Sequence, residues 1–103
     1  MTNSKQKGKR YELEVAHILQ EHGYDARRTQ QYCGATDESS DVVGLDGFHI
    51  ECKHYANIGF KYEWLEQAIR DCNNNIPIVV HRIDRKESVV TLRLADFLEV
   101  IKK

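Results

Sequence analysis

The chain has 103 residues, enough for one domain spanning 1–103 but not for two, and its net charge of −1 excludes a strongly basic composition. No run of about 18 apolar residues is present, which excludes a membrane-spanning helix, and the polar N-terminus lacks the apolar core of a signal peptide. Three cysteines at irregular spacing, Cys33, Cys52 and Cys72, argue against a disulfide framework. We therefore expect a reducing, cytoplasmic (intracellular) setting.

The N-terminal part predicts a helix from about Gly8 to His22, ended by Gly23, after a flexible basic segment over residues 1–7. Its apolar stripe recurs at i, i+4, i+7 and i+8. The stripe consists of Tyr11, Val15, Ile18 and Leu19. Residues 24–29 predict a short strand, and the polar residues 30–40 predict a loop.

A β-hairpin is predicted next. Residues 41–45 form its first strand, and Asp46-Gly47 is typical of a type I′ turn. The second strand, residues 48–53, alternates strictly between an apolar face and a polar face. The polar face consists of His49, Glu51 and Lys53. The hairpin therefore presents charged side chains along one face.

The C-terminal half predicts a helix over 61–73, strands over 76–83 and 88–94, and a final amphipathic helix from Leu94 to Ile101. Pro77 lies near the start of its strand, where a missing N–H is tolerated. The complete order α-β-β-β-α-β-β-α predicts an α/β fold with a mixed sheet of about five strands flanked by helices.

Asp41, Glu51 and Lys53 are the residues that point to chemistry. Residues i and i+2 on a strand share a face roughly 6.5–7 Å apart, and Asp41 opens the neighbouring strand. Two converging carboxylates are costly unless compensated, and Mg²⁺ compensates them while keeping several waters. The cation would activate a water for phosphodiester hydrolysis, with Lys53 orienting it or stabilising the developing charge. A solvent-exposed Glu–Lys pair on a surface strand is the alternative interpretation.

An ordered set of motifs along the chain strengthens the first interpretation. It comprises Lys7-Gly8-x-x-x-Glu12, Gly23-Tyr24-x-Ala26-Arg27-Arg28, Ser40-Asp41-Val42-Val43, Ile50-Glu51-Cys52-Lys53 and Glu66-Gln67. This set resembles the archaeal-type Holliday junction resolvases of the PD-(D/E)XK nuclease superfamily, over nearly the whole chain. The resemblance implies a restriction-endonuclease-like fold, Mg²⁺ or Mn²⁺ as cofactor, branched DNA as substrate and a homodimer.

The resemblance also implies roles for individual residues. Asp41 and Glu51 look like metal ligands, joined by the backbone carbonyl of Cys52 and assisted by Glu12. Lys53 looks like the catalytic lysine, and Gln67 matches a helical glutamine near the site. Basic residues that we expect to contact DNA are Lys5, Lys7, Lys9, Arg10, Arg27 and Arg28. Two departures are Ser40, where the motif has proline, and the segment 30–40 with Tyr32-Cys33-Gly34, which puts substrate preference in doubt.

Other polar and aromatic residues have less specific interpretations. His49 and His54 could contact DNA or a metal-bound water, but flanking polar positions are the simpler reading. The cysteines lack metal-ligand spacing, which argues against zinc, and Cys52 is expected in the core. Trp64 is expected in the core as well, whereas three neighbouring aromatics remain open between base stacking, a dimer contact and core packing. These three are Tyr55, Phe60 and Tyr62.

The function predicted from these observations is a metal-dependent DNA endonuclease that resolves four-way or other branched DNA. Rival interpretations are a repair or restriction-like endonuclease with another DNA target, a non-catalytic DNA-binding module of the same fold, and a small interaction protein. The motif cannot separate the nucleases, because substrate choice depends on loops.

Overall fold

The computed structural model describes residues 4–29 and 40–102, with the side chain of residue 4 left out. Eight elements follow one another in the predicted order. They are α1 (Ser4–Glu21), β1 (Arg27–Arg28), β2 (Val42–Val43), β3 (Phe48–Tyr55), α2 (Tyr62–Asp71), β4 (Ile76–Ile83), β5 (Val89–Thr91) and α3 (Leu94–Val100). No helix in the described ranges is long and apolar enough to cross a membrane.

The five strands form one mixed sheet in the order β1-β2-β3-β4-β5. β3 and β4 pair in parallel along eight residues, from Phe48 opposite Ile76 to Tyr55 opposite Ile83, and the other pairs are antiparallel. Parallel neighbours need a crossover connection, which α2 supplies. The long central pair therefore carries a helix across one face of the sheet.

Helix α1 begins at Ser4, four residues before the predicted start at Gly8, and includes Lys5 and Lys7 of the segment predicted to be flexible. Lysine and glutamine favour helices, but the apolar stripe that marks the helix in the sequence begins only later. The helix ends as predicted at Gly23, which has a φ of +96°. Tyr24 N–H donates to the Leu19 carbonyl, closing a Schellman motif.

Two apolar clusters lie on opposite faces of the sheet because Ile78 and Val79 are successive strand residues. The first cluster packs α1 against β2, β3 and β4. Its buried members are Tyr11, Val15, Ala16, Ala26, Val42, Ile50, Cys52 and Ile78. The second cluster packs α2 on β4 and consists of Trp64, Leu65, Ala68 and Val79. The expected core positions of Cys52 and Trp64 are thus confirmed.

The hairpin between β2 and β3 differs from the predicted type I′ turn. Phe48 N–H donates to the Leu45 carbonyl at 3.1 Å, but of the two central residues Gly47 has a positive φ and Asp46 does not. Type I′ needs positive φ at both, so the geometry fits a type II turn. Gly44 has a φ of +111°, and a Cβ there would lie 2.3 Å from the Asp25 carbonyl oxygen.

Three strands are shorter than predicted, whereas β3 extends two residues beyond its predicted end. Gly44 ends β2 after Val43, and β1 is limited to Arg27–Arg28. β5 ends at Thr91 because α3 begins at Leu94. Of the loop predicted over residues 30–40, all but Ser40 lie outside the described residues.

Candidate active site

The polar face of β3 is buried rather than solvent-exposed. His49 is 2% exposed and Glu51 is 3% exposed, and Lys53 is half-buried beyond them. This face of the sheet is the one covered by α2, since Ile50 and Cys52 point to the opposite face against α1. A buried carboxylate needs hydrogen bonds or an opposite charge to offset its desolvation. The hydrogen-bond partners and charges around Glu51 therefore determine whether this face can bind a cation.

Asp41 reaches this face from the neighbouring strand. The pairing of Val42 with Ile50 sets Asp41 beside Glu51, as predicted from the hairpin. Asp41 Oδ2 accepts a hydrogen bond from the Cys52 backbone N–H at 2.8 Å, which fixes the carboxylate. The pKa of Asp41 is raised to about 7, mainly by burial and further by Glu51 and Glu12, against the opposing effects of that N–H and of Lys53.

Glu12 approaches the same place from α1. It is half-buried, and its Oε1 accepts a hydrogen bond from Arg28 Nε at 2.7 Å. Burial raises the pKa of Glu12, Arg28 opposes this, and Glu51 adds to the increase. Three carboxylates thus act electrostatically on one another. The role in metal binding that the resemblance implies for Glu12 stays a prediction.

His49 bridges two buried groups that the sequence did not connect. Its Nδ1 lies 2.8 Å from Ser40 Oγ, and its Nε2 lies 2.8 Å from Glu51 Oε2. An ionised carboxylate can only accept, so Nε2–H donates wherever Glu51 is ionised, while Nδ1 shares a hydrogen bond with the Ser40 hydroxyl. Ser40 is itself only 8% exposed. His49 is more than the flanking polar residue that its position in the sequence indicated.

The residues present fit a hard divalent cation. Carboxylate oxygens are the ligands that Mg²⁺ and Mn²⁺ prefer, and burial together with the charge of Glu51 raises the pKa of Asp41, which a cation would offset. Within the described ranges, the ligand atoms of His49, Glu51 and Asp71 also lie within 4.8 Å of one another. Glu51 is common to this cluster and to the predicted ligand set.

Comparison with protein families matches residues 3–103 to the family described as "Phage putative PDDEXK endonuclease". The chain belongs to this PDDEXK endonuclease family. Its structure resembles a Holliday junction resolvase, Hjc, from the archaeal hyperthermophile Archaeoglobus fulgidus, with a TM-score of 0.63 and 20% identity. The match covers 84% of this chain and 72% of the resolvase, which confirms the restriction-endonuclease-like fold. No curated protein matches the sequence.

The remaining predicted site residues of the endonuclease lie around this centre. Lys53 is close enough to lower the pKa of Asp41, against the burial that raises it. Gln67 is half-buried on α2, one helical turn before Asp71, so both lie on the same side of that helix. Their catalytic roles remain predictions.

The basic residues expected to contact DNA fall into two groups. One group is solvent-exposed and consists of Lys5, Lys9, Arg10 and Arg27. The other is engaged within the endonuclease: Lys7 Nζ lies 3.1 Å from Asp84 Oδ1, and Arg28 pairs with Glu12. His54 also bonds Asp84, at 2.7 Å, rather than facing the centre. The exposed group is the one available to phosphates.

The aromatic residues left open by the sequence pack mainly on α2. Tyr55 stacks on Trp64 with ring centroids 5.4 Å apart, and Phe60 meets the Trp64 ring edge-on at 6.0 Å. Tyr62 contacts Phe60 but is 72% exposed. Tyr55 and Phe60 therefore extend the second core cluster, and Tyr62 is the member at the surface.

Proposed function

We propose that this endonuclease hydrolyses DNA phosphodiester bonds with Mg²⁺ or Mn²⁺ and resolves four-way (Holliday) or other branched DNA as a homodimer. The observation that carries the proposal is the placement of Asp41 beside Glu51 across the β2–β3 pair, with Lys53 on the same strand. The raised pKa of Asp41 supports the proposal. Two buried carboxylates side by side cost free energy, and a bound cation would offset that cost.

In this proposal Asp41 and Glu51 hold the cation, the backbone carbonyl of Cys52 is a further ligand, and Glu12 assists. When bound, the cation neutralises the scissile phosphate and lowers the pKa of a water. Hydrolysis joins the water oxygen to phosphorus, breaks one phosphorus–oxygen ester bond and delivers a proton to the leaving oxygen. Lys53 stabilises the negative charge that develops on the phosphate, and Gln67 helps to position the reacting groups.

His49 is proposed as a positioning residue for Glu51. Its bond to Glu51 Oε2 fixes the carboxylate orientation, and Ser40 fixes the ring in turn. Removing a side chain that hydrogen-bonds a metal ligand typically lowers metal affinity by about 10–100-fold. The buried chain from Ser40 through His49 therefore prepares Glu51 before any cation arrives.

DNA affinity is proposed to come from the exposed cations, because the chain as a whole has a net charge of −1. Binding through a local patch releases counterions and falls steeply as salt concentration rises. Lys9 and Arg10 lie on the helix that carries Glu12, and Lys9 acts electrostatically on the Glu12 carboxylate. Symmetric resolution of a junction needs two such centres related by a two-fold axis, hence the homodimer.

The test is cleavage of a labelled four-way junction and a matched linear duplex, with Mg²⁺ and with chelator. Asp41→Ala is compared with Asp46→Ala, which removes an exposed carboxylate from the hairpin turn. We expect junction-selective, metal-dependent cleavage that Asp41→Ala abolishes and Asp46→Ala retains.

The other outcomes separate the rival functions. Metal-dependent cleavage of both substrates would identify a repair or restriction-like endonuclease with a different target. Binding without cleavage would identify a non-catalytic DNA-binding module. Equal activity of Asp41→Ala and the unsubstituted chain would reject the assigned site.

A further inference from the structure

Helix α3 carries an apolar stripe that faces solvent. Leu94, Phe97, Leu98 and Ile101 follow one another at i, i+3, i+4 and i+7, the spacing of one helix face. Their exposed fractions are 70%, 45%, 51% and 58%, and α3 has no buried residue. A stripe of this kind normally packs on the sheet of its own domain, yet α3 makes only sparse contact with any other helix or strand.

The strand that precedes α3, β5, has no neighbouring strand along one of its edges in the described sheet. β5 is the last strand of the sheet, and Val89 and Val90 are 51% and 53% exposed. No residue of β5 is charged, whereas the opposite edge strand, β1, consists of Arg27 and Arg28. Charged edge strands discourage pairing with another chain, and uncharged β-branched ones favour it. The two edges of this sheet are therefore not equivalent.

We infer that the α3 stripe and the β5 edge together form the surface through which two copies of this chain associate. This deepens the proposed function, because it rests on the homodimer proposed there and assigns its interface. A two-fold contact would set α3 against its counterpart and bring the two β5 edges alongside each other. The candidate site, on β2 and β3, is separated from the β5 edge by β4, so this contact does not use the strands that carry the site.

The size of the surface suits a second copy. Six large apolar side chains exposed to this degree offer on the order of 500–600 Å², and a standard interface buries about 800 Å² on each partner. Apolar patches beyond a few hundred Å² are uncommon on monomers. The surrounding polar and backbone atoms supply the remainder.

The charges of the segment also suit self-association. Residues 89–102 contain two basic residues, Arg93 and Lys102, and two acidic residues, Asp96 and Glu99. Arg93 Nε already pairs with Asp96 Oδ2 at 2.9 Å within the same chain. A segment with balanced charges can face its own copy without net repulsion, and it has no excess of positive charge with which to attract DNA.

The experiment is sedimentation equilibrium of the full chain over a range of concentrations, for the unsubstituted protein, Leu98→Lys and Leu94→Lys. Leu13→Lys is the matched control, since Leu13 is 46% exposed on α1. Two-fold symmetry introduces each substitution twice, so we expect the dimer dissociation constant to rise by roughly 100-fold or more in both α3 variants and to stay unchanged in the control. Circular dichroism verifies that each variant is folded.

Two results would overturn the inference: a monomer at all concentrations, or a dimer that neither α3 variant weakens. Cleavage distinguishes this failure from failure of the proposed function. A folded, monomeric Leu98→Lys variant should still cleave one strand of a junction when metal is present. It should no longer make the two paired cuts that resolve the junction. An unsubstituted dimer that cuts no DNA would reject the nuclease assignment and leave the interface intact.

Discussion

The two faces of β3 are both buried but for opposite reasons. Ile50 and Cys52, 1% and 7% exposed, pack against α1, and their burial stabilises the fold through the hydrophobic effect. His49 and Glu51, 2% and 3% exposed, lie on the other face, where burial of polar groups costs free energy unless partners offset it. One strand thus carries both a stabilising and a costly face, and the costly face is the one that holds the proposed site.

The largest expected effect comes from removing the charge of the polar face. Glu51→Gln keeps the side-chain shape but removes the carboxylate, so we expect junction cleavage to fall by about 10³-fold or more, roughly 4 kcal/mol. The measurement is single-turnover cleavage in saturating Mg²⁺, with Glu21→Gln at the exposed end of α1 as the control. An activity within tenfold of the unsubstituted chain would exclude Glu51 as a ligand.

Changing the apolar face should affect stability instead. Ile50→Ala removes buried methyl groups and leaves a cavity, so the free energy of unfolding should fall by about 3 kcal/mol. Chemical denaturation measures this, with Leu13→Ala, at an exposed position, expected to change it by less than about 0.5 kcal/mol. Cleavage per folded molecule should be nearly unchanged. If cleavage fell as much as in Glu51→Gln, the two faces would not be separable.

A smaller effect is expected from His49, which hydrogen-bonds the proposed metal ligand Glu51. His49→Ala leaves Glu51 without its bond at Oε2, so the Mg²⁺ concentration for half-maximal cleavage should rise about 10–100-fold. The cleavage rate at saturating Mg²⁺ should change much less. His49→Gln, which can still donate to Glu51, should recover part of the affinity. A purely structural role would lower stability without this recovery.

The smallest effect concerns pH and the metal-free protein. Burial and Glu51 raise the pKa of Asp41 to about 7, so between about pH 4 and 7 the folded state binds more protons than the unfolded state. Stability should therefore fall as pH rises through this window. Asp41→Asn should remove the dependence and stabilise the metal-free protein at pH 8 by on the order of 1–2 kcal/mol. Thermal unfolding at pH 5 and 8 measures it, and equal pH dependence in both proteins would contradict it.

Much of the fold was predictable because local patterns agree with the tertiary structure. The continuous apolar run of β4 gave the observed bounds Ile76–Ile83, and Gly23 ended α1 as expected. The short strands were less predictable. β2 stops at Val43 because Gly44 has a φ of +111°, outside the strand conformation. Gly44 also lies close to the backbone of Asp25, a contact that no local signal in the sequence specifies.

The candidate site was predictable only in part, for a similar reason. Hairpin alternation sufficed to bring Asp41 beside Glu51. The bridge from Ser40 through His49 depends on the path of the chain just before β2, so the sequence showed its members but not their contact. The short distance between Asp71 and Glu51 likewise depends on how α2 packs across the sheet, which the sequence does not show.

The hydrogen bond that fixes Asp41 comes from the main chain of Cys52 and not from its thiol. Any amino acid except proline supplies that N–H, so the orientation of the carboxylate does not depend on the identity of the side chain at position 52. That side chain has only to fit the small apolar space against α1. Position 52 can therefore vary among small apolar residues during evolution while the Asp41 carboxylate keeps its orientation.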